Sequence, residues 1–357
     1  MNTLPPEDLE HILRHTGRIW KDLRNARIFI TGGTGFFGRW LLGSFLAAND
    51  RFGLKARATV LSRNPARFKA ACPWLAGHPA IRMIKGDVRD FTFPKGKFTH
   101  VIHGAVDAKL KLIREKPALT FDTITRGTRR VLDLAAARGA NKMLFVSSGA
   151  VYGRQGPGAA RLPEEYRGAP DLNDAYAVYG GCLRAAEALC AACAERSGFS
   201  APVARCFSFV GPHLPLDQHF AIGNFIRDAL SCKTIRLESD GTPRRSYLYA
   251  ADLAIWLWTI LLRGKNGRVY NVGSEKAISL AETARIVARS SGNNLKVIMA
   301  RKPRPDAKTN IYVPCTIRAR TELGLKEFIC LRDAIRRTIE FYRSVIPVKT
   351  GIQNKTF

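Results

Sequence analysis

The stretch IFITGGTGFFGRWLLGSF, from Ile28 to Phe45, decides the fold. Arg27 to Thr31 is short, apolar and β-branched, and reads as a strand. Gly32, Gly35 and Gly38 then punctuate a tight turn, and Phe36 onward has the pattern of an amphipathic helix. A strand that runs through spaced glycines into a helix start is a phosphate cradle. The missing Cβ atoms allow close approach, and the unpaired N–H groups of the first helical turn point at the anion. This reading predicts a dinucleotide site in which Gly32, Gly35, Phe36, Phe37 and Gly38 hold a pyrophosphate.

Outward from that stretch, strands and helices alternate. Arg57 to Leu61 reads as a second strand that ends beside the adenosine ribose, where Ser62-Arg63-Asn64 stands in place of the acidic residue usual for NAD. A guanidinium there suits a 2′-phosphate, so Arg63 favours NADP over NAD. Ile81 to Lys85 is strand three, followed by Gly86-Asp87-Val88-Arg89. Thr99 to His103 is strand four, running into Gly104-Ala105. A helical stretch (117–138), strand five (142–147), a Gly/Pro-rich loop (153–170), a second long helix (174–197) and strand six (201–209) follow. This alternation predicts an α/β, Rossmann-like, doubly wound parallel sheet over residues 27–210. Beyond Gly211-Pro212 the elements shorten into a smaller C-terminal, mainly substrate-binding part, 211–343. Residues 1–26 place Leu9, Ile12, Leu13, Ile19 and Leu23 at helical spacing, as a helical extension. The tail 344–357 has no periodic pattern and is expected to be disordered.

Composition narrows the class. Among 357 residues, 57 basic side chains against 29 acidic ones give a net charge of +28, a field that draws anionic partners. No zinc knuckle, basic aromatic strand or helix-turn-helix pattern accompanies it, so no specific nucleic-acid partner is expected, and weak association with an anionic membrane surface is the most the charge supports. Glu7, Asp8 and Glu10 precede any apolar run, which argues against a signal peptide, and Leu253 to Leu262 is too short to span a bilayer. Eight scattered cysteines suit a reducing, cytoplasmic setting, with Cys190 and Cys193 in an Ala-rich helix read as structural. His11 and His15 lie four apart with no acidic third partner in view, so no metal is expected. Ser147-Ser148 lies outside a G-x-S-x-G elbow, which leaves a hydrolase without support.

Three separated motifs then line up: Thr31 to Gly38, Phe145-Val-Ser-Ser-Gly-Ala-Val-Tyr-Gly153, and Tyr179-Gly-Gly-Cys-Leu-Arg-Ala-Ala-Glu187. Together they resemble the extended short-chain dehydrogenase/reductase family, the NAD-dependent epimerases and dehydratases of nucleotide sugars, over residues 27–343. Gly86-Asp87, His103-Gly-Ala, Arg205 to Pro212, Arg245-Ser-Tyr-Leu-Tyr-Ala-Ala-Asp252, Tyr270 to Gly273 and Arg304-Pro-Asp306 extend the likeness. The resemblance implies that Asp87 and Val88 meet the adenine and that Gly104 and Ala105 flank the cofactor. Ser148 is then the hydroxyl that bonds the reacting oxygen, and Tyr179 the base, also touching the cofactor. Ser208 replaces the family's substrate-orienting Asn, while Arg245 and Arg304 hold the substrate's phosphates. A homodimer through the two long helices is also implied.

Two departures matter. The family's lysine four residues after the tyrosine is Leu183 here, which supplies neither charge nor donor. An unperturbed tyrosine titrates near ~10, leaving only about 0.1% phenolate at neutral pH without a cation's help. Tyr176 is a rival base, but Gly180 follows it at the same spacing. The dehydratases' acid pair after the catalytic hydroxyl is replaced by Gly149 and Ala150, so water elimination lacks its acid and base. The expected activity is therefore that of a C4 epimerase or ketosugar reductase. A binding protein impaired in turnover by Leu183, a nucleotide-sugar 4,6-dehydratase and a reductase of a non-nucleotide alcohol are the alternatives.

Overall fold

β1 (Arg27–Thr31) buries its last four residues, as a central parallel strand of Ile and Phe requires. The structure, a computed structural model, describes residues 3–105, 110–155, 160–171, 173–174, 177–218, 220–293, 295–302 and 309–345. β1 pairs in parallel with β2 (Arg57–Ser62) on one side. Its other neighbour will be β4, because β3 (Ile81–Lys85) lies outside β2. β4 (His100–His103), β5 (Lys142–Ser148), β6 (Val203–Cys206) and β7 (Val269–Val272) continue the sheet, every pair parallel. The order is β7-β6-β5-β4-β1-β2-β3. The succession reverses between β1 and β4, and open α/β sheets bind ligands in the crevice at such a switch, beyond the carboxyl ends of the strands. The expected doubly wound parallel sheet is the fold.

Helices cover both faces. α1 (Pro6–Thr16) lies across α2 (Phe36–Phe52), while α3 (Pro117–Ala137) and α4 (Ala177–Ser197) pack together on the opposite face. α5 (Ala250–Arg263) joins α1 and α2, and α6 (Leu331–Val345) closes the same side. α2 ends at Gly53, whose φ of +55° makes the left-handed cap that glycine adopts without strain. α4 is, by length and composition, long and apolar enough to cross a membrane. In this fold its Tyr179, Cys182, Leu183, Ala186 and Cys190 are buried, and it packs on α3 and β5. The apolar run at 253–262 belongs to α5, almost wholly buried.

One sequence expectation is altered. Strand six stops at Cys206, and Phe209–Val210 instead pairs with Leu248–Tyr249. α5 and β7, from the later segment, complete the sheet layers. β7 escaped notice because it is four residues long with Asn271 in it. That asparagine is fully buried and satisfied: its amide donates to the carbonyls of Leu162 (2.8 Å) and Cys315 (3.0 Å) and accepts from the Tyr152 hydroxyl (2.8 Å).

The N-terminal extension is helical as expected and sits in the core, with Leu4, Ile12, Leu13, Trp20 and Leu23 buried. Buried Asp8 accepts hydrogen bonds from the Tyr249 hydroxyl and the Arg337 guanidinium, both at 2.6 Å. His11 has the acidic partner not evident from sequence spacing: its Nε2 lies 3.1 Å from Asp252, whose other oxygen accepts the Phe328 and Ile329 amides. The terminal residues 346–357, where disorder was expected, lie outside the described residues.

Two histidines of β4 are locked neutral. Burial pushes His103 down to about 3, and burial reinforced by Lys142 pushes His100 down to about 4. Their folded values lie below the unfolded value near 6.5, so the unfolded chain binds more protons once the pH drops under that value. Stability is therefore complete above it and lost as the pH falls, by about 1.4 kcal/mol per unit for each histidine. The unfolding free energy from urea titration should drop by about 3 kcal/mol between pH 8 and pH 5.5 from the two groups together. His103→Asn should show a shallower slope over that interval than the native chain.

Candidate active site

The glycines of the first turn divide into two kinds. Gly32 has φ +75°, and a Cβ there would lie 2.2 Å from the Gly104 carbonyl oxygen across the β1–β4 switch. A Cβ on Gly38 would lie 2.3 Å from the Gly33 backbone, so strand end and helix could not close. Gly35 is different: its Cβ would meet only the Gly32 oxygen, at 3.5 Å, and otherwise open space. No side chain caps α2. Its first amides, around Phe36 and Phe37, therefore face an open anion position, which fits a dinucleotide pyrophosphate. The Phe37 ring turns aside, packing edge-on against Phe209 at 5.0 Å. Gly33, which sequence reading passed over, is also required, since its Cβ would strike Val60 at 2.7 Å.

The other expected cofactor positions, Tyr179 on α4 apart, fall at carboxyl ends of strands: Arg63 after β2, Asp87 and Val88 after β3, Gly104 and Ala105 after β4. The Ala105 amide donates to Thr31 Oγ1 at 3.2 Å, and His103 bridges Thr31 (2.7 Å) and Thr128 (3.0 Å), which fixes this loop to the core. Arg89 grips Asp87 through two guanidinium bonds (2.8 and 3.1 Å). Those bonds hold the Asp87 carboxyl below its ordinary range, and the Arg63 charge acts in the same direction.

Ser148 ends β5, and its Oγ accepts the Ala150 amide at 3.2 Å. The short turn that follows lies against the first turn of α4, where a Cβ on Gly180 would come within 2.5 Å of the Ala150 oxygen. Tyr179 therefore sits beside this turn, 6% exposed. A side chain that sequence reading missed joins the pieces. The Tyr312 hydroxyl lies against Gly149, the residue after Ser148, and the Arg245 guanidinium stands 6.0 Å from its ring. Its strand, Ile311–Tyr312, pairs with Arg244–Arg245, so Tyr312 and Arg245 are register partners. Arg245 bonds only carbonyl and amide oxygens among the described residues, those of Arg244 and Asn310, which leaves its charge available to an anion. Ser208 follows β6, and its carbonyl accepts the Leu248 amide at 3.0 Å. Arg304 and Tyr176 lie outside the described residues.

Leu183, where a lysine was expected, has no exposed surface and belongs to the core between α3, α4 and the sheet. One turn further, Glu187 accepts bonds from Ser147 (2.6 Å) and two from Arg205 (2.6 and 3.0 Å). Burial works against the Arg205 charge, but Glu187 outweighs it and raises the guanidinium's pKa. Arg205 also stacks on Tyr152 at 4.7 Å, and burial pushes that phenol up to about 12. The signal for this pair was present: Glu187 and Arg205 both stand inside quoted motifs, and Glu187 follows Tyr179 by two helical turns. Tyr312, 164 residues from Ser148, had no local signal. No group of three metal-ligating side chains occurs among the described residues.

Comparison with known proteins shows the family and the fold. The profile of the NAD dependent epimerase/dehydratase family matches residues 28–273, and the chain belongs to that family. It is 26% identical to UDP-glucuronic acid decarboxylase 6 of Arabidopsis thaliana over 331 residues, 93% of this chain and 92% of that one. Its fold is similar to that of UDP-glucose 4-epimerase from Thermotoga maritima, solved with UDP-glucose (TM-score 0.76, 20% identity, 89% of this chain and 99% of the other). It is equally similar to dTDP-glucose 4,6-dehydratase from Streptomyces venezuelae, solved with NAD (TM-score 0.76, 22% identity, 89% and 97%).

The glycines predict a contrast. Gly32→Ala and Gly38→Ala should each lower unfolding free energy by about 2 kcal/mol or more, whereas Gly35→Ala should stay within about 0.5 kcal/mol and lose NAD affinity instead. Urea titration paired with calorimetry separates the two behaviours. Leu183→Ala, a cavity in the core, should lose about 2–5 kcal/mol in the same titration.

Proposed function

We propose that the chain is an NAD(P)-dependent enzyme of nucleotide sugars that oxidises or reduces the C4 carbinol, as a C4 epimerase or ketosugar reductase. The observation that supports this reading is that the turn after Ser148 meets both the first turn of α4, which bears Tyr179, and the Tyr312 strand, which is paired in register with Arg245. Arg245 neutralises the diphosphate of the substrate, as a planar guanidinium does by bidentate bonding. The Ser148 hydroxyl bonds the C4 oxygen and holds it for Tyr179, which removes or returns its proton. The nicotinamide, when bound, supplies the hydride acceptor and donor. Arg63 beside the ribose position supports NADP, and assays with each cofactor decide between the two.

Gly149 and Ala150 argue against water elimination, because neither can act as acid or base. They leave one further outcome open. A 4-keto sugar with a carboxylate on C5 is a β-keto acid and loses CO2 without that acid pair. The likeness to UDP-glucuronic acid decarboxylases supports decarboxylation as a second reading. The binding-protein alternative draws its support from Leu183, which cannot assist the Tyr179 phenol. For assembly, we propose a homodimer through α3 and α4, supported by exposed Phe121 on α3 and by Ala185, Ala188 and Leu189 on the outer face of α4. Eight free cysteines support a cytoplasmic setting.

The test is absorbance at the nicotinamide band with NAD or NADP and a panel of UDP-, dTDP-, CDP- and GDP-sugars, including a UDP-hexuronic acid, with product analysis. Tyr179→Phe and Ser148→Ala should lower kcat by about 10²–10⁴-fold, and Arg245→Ala should act mainly on KM. Unchanged turnover in Tyr179→Phe would remove the proposed base. Tight binding of a nucleotide sugar by the native chain without any turnover would establish the binding protein instead.

A further inference from the structure

We propose that Arg39 is a phosphate-binding residue of the dinucleotide site, at the outer rim of the glycine cradle, in a cleft completed by the segment 213–216. The inference rests on the dinucleotide reading of the cradle and adds a cation that sequence reading passed over. A cleft of about 380 Å³ opens beside the first turn, bordered by Thr34, Gly35 and Phe36 and, across from them, by His213 and Tyr342. Of the described residues that line it, Arg39 bears the charge and none is acidic. The Arg39 amide donates to the Gly35 carbonyl at 3.1 Å, so the two residues share one face of α2. A helical side chain leans toward the N-terminus of its helix, which carries the guanidinium to the side where Gly35 leaves open space.

What the guanidinium meets in the folded chain leaves its charge available. Of its several N–H donors, Arg39 gives one to His213 Nδ1, at 3.0 Å. That acceptor is an uncharged imidazole: burial pushes His213 down to about 3, and the Arg39 charge acts in the same direction. The bond therefore fixes the guanidinium without neutralising it, and no carboxylate pairs with Arg39 among the described residues. The segment carries strain at this contact. His213 has φ +68°, left-handed for a residue with a Cβ, and its Nε2 is buried without a partner among the described residues. Features of this kind persist at ligand sites, where surrounding structure enforces them. Phe341 packs edge-on against the imidazole at 4.8 Å and the Tyr342 hydroxyl donates to the Leu214 carbonyl, so α6 holds the segment in place. On another side the guanidinium stands 5.8 Å from the ring of Phe68, in the short helix Pro65–Ala71 that follows Arg63. Arg39 thus has the cradle to one side and the segment that borders the ribose position to the other. Both positions offer phosphate oxygens, from the pyrophosphate or from the 2′-phosphate of NADP, and a planar guanidinium meets either by paired N–H bonds.

Arg39→Gln keeps a donor and deletes the charge. In the full-length chain, calorimetry should show dinucleotide affinity falling by about 10–100-fold, while the thermal midpoint without ligand matches the native chain. Arg39→Lys should recover part of that affinity. Equal losses for NAD and NADP assign the contact to the pyrophosphate, and a loss confined to NADP assigns it to the 2′-phosphate. Unchanged affinity for both dinucleotides in Arg39→Gln would overturn the proposal. So would an equal loss of UDP affinity together with a lower midpoint, the mark of a general structural effect. Should the native chain bind neither dinucleotide, the reading of the cradle fails, and inorganic pyrophosphate decides this one. Weaker pyrophosphate binding in Arg39→Gln sustains the role of the cation, and equal binding, or none in the native chain, overturns it.

Discussion

Everything in this structure depends on how closely bare backbone approaches backbone at the β1–β4 switch. Gly32 passes the Gly104 carbonyl, and Gly38 seats against Gly33, at distances that no side chain could share. These approaches bring the end of β1, the start of α2 and the loop after β4 to one place. The helix amides, the loop amide fastened to Thr31 and the carboxyl edges of four strands consequently face one crevice. Hydrophobic burial on both faces of the sheet stabilises the layers, but it would do so for many crevices. The glycines select this one.

The groups proposed to react reach that crevice from three directions. β5 delivers Ser148, α4 delivers Tyr179, and a small antiparallel and parallel ribbon of the C-terminal part delivers Arg245 with Tyr312. Beneath them the Glu187–Arg205 pair ties α4 to β6 and, through Ser147, to β5. Breaking one partner of a buried pair strands the other charge, which is why such pairs fix geometry even when their net stabilisation is small. The pair thus holds the helix of the tyrosine in register with the strand of the serine.

Much of this was legible in the residues. The first turn and six of the seven sheet strands carry local patterns of β-branched residues and glycine, and local patterns are what a single sequence displays. β7 was lost because a buried Asn interrupts a four-residue strand, and its partners lie in loops more than forty residues away. Tyr312 was lost for the same reason in sharper form: a lone tyrosine in a two-residue strand is indistinguishable from any other until the register with Arg245 is known. Leu183 was visible as an absent lysine, but only the fold shows that its side chain is core. Contacts across long sequence separations have no periodicity to announce them.

The N-terminal extension reaches the same machinery by a route of its own. Asp8 and His11 on α1 bind Tyr249 and Asp252, which close the segment that Arg245 opens. Asp252, the carboxylate that α1 clasps, stands seven positions after Arg245. The leading residues therefore act as a splint on the segment 249–252. A chain without them would lose the core packing of Ile12, Leu13, Trp20 and Leu23 and leave Tyr249 and Asp252 each short of a tether.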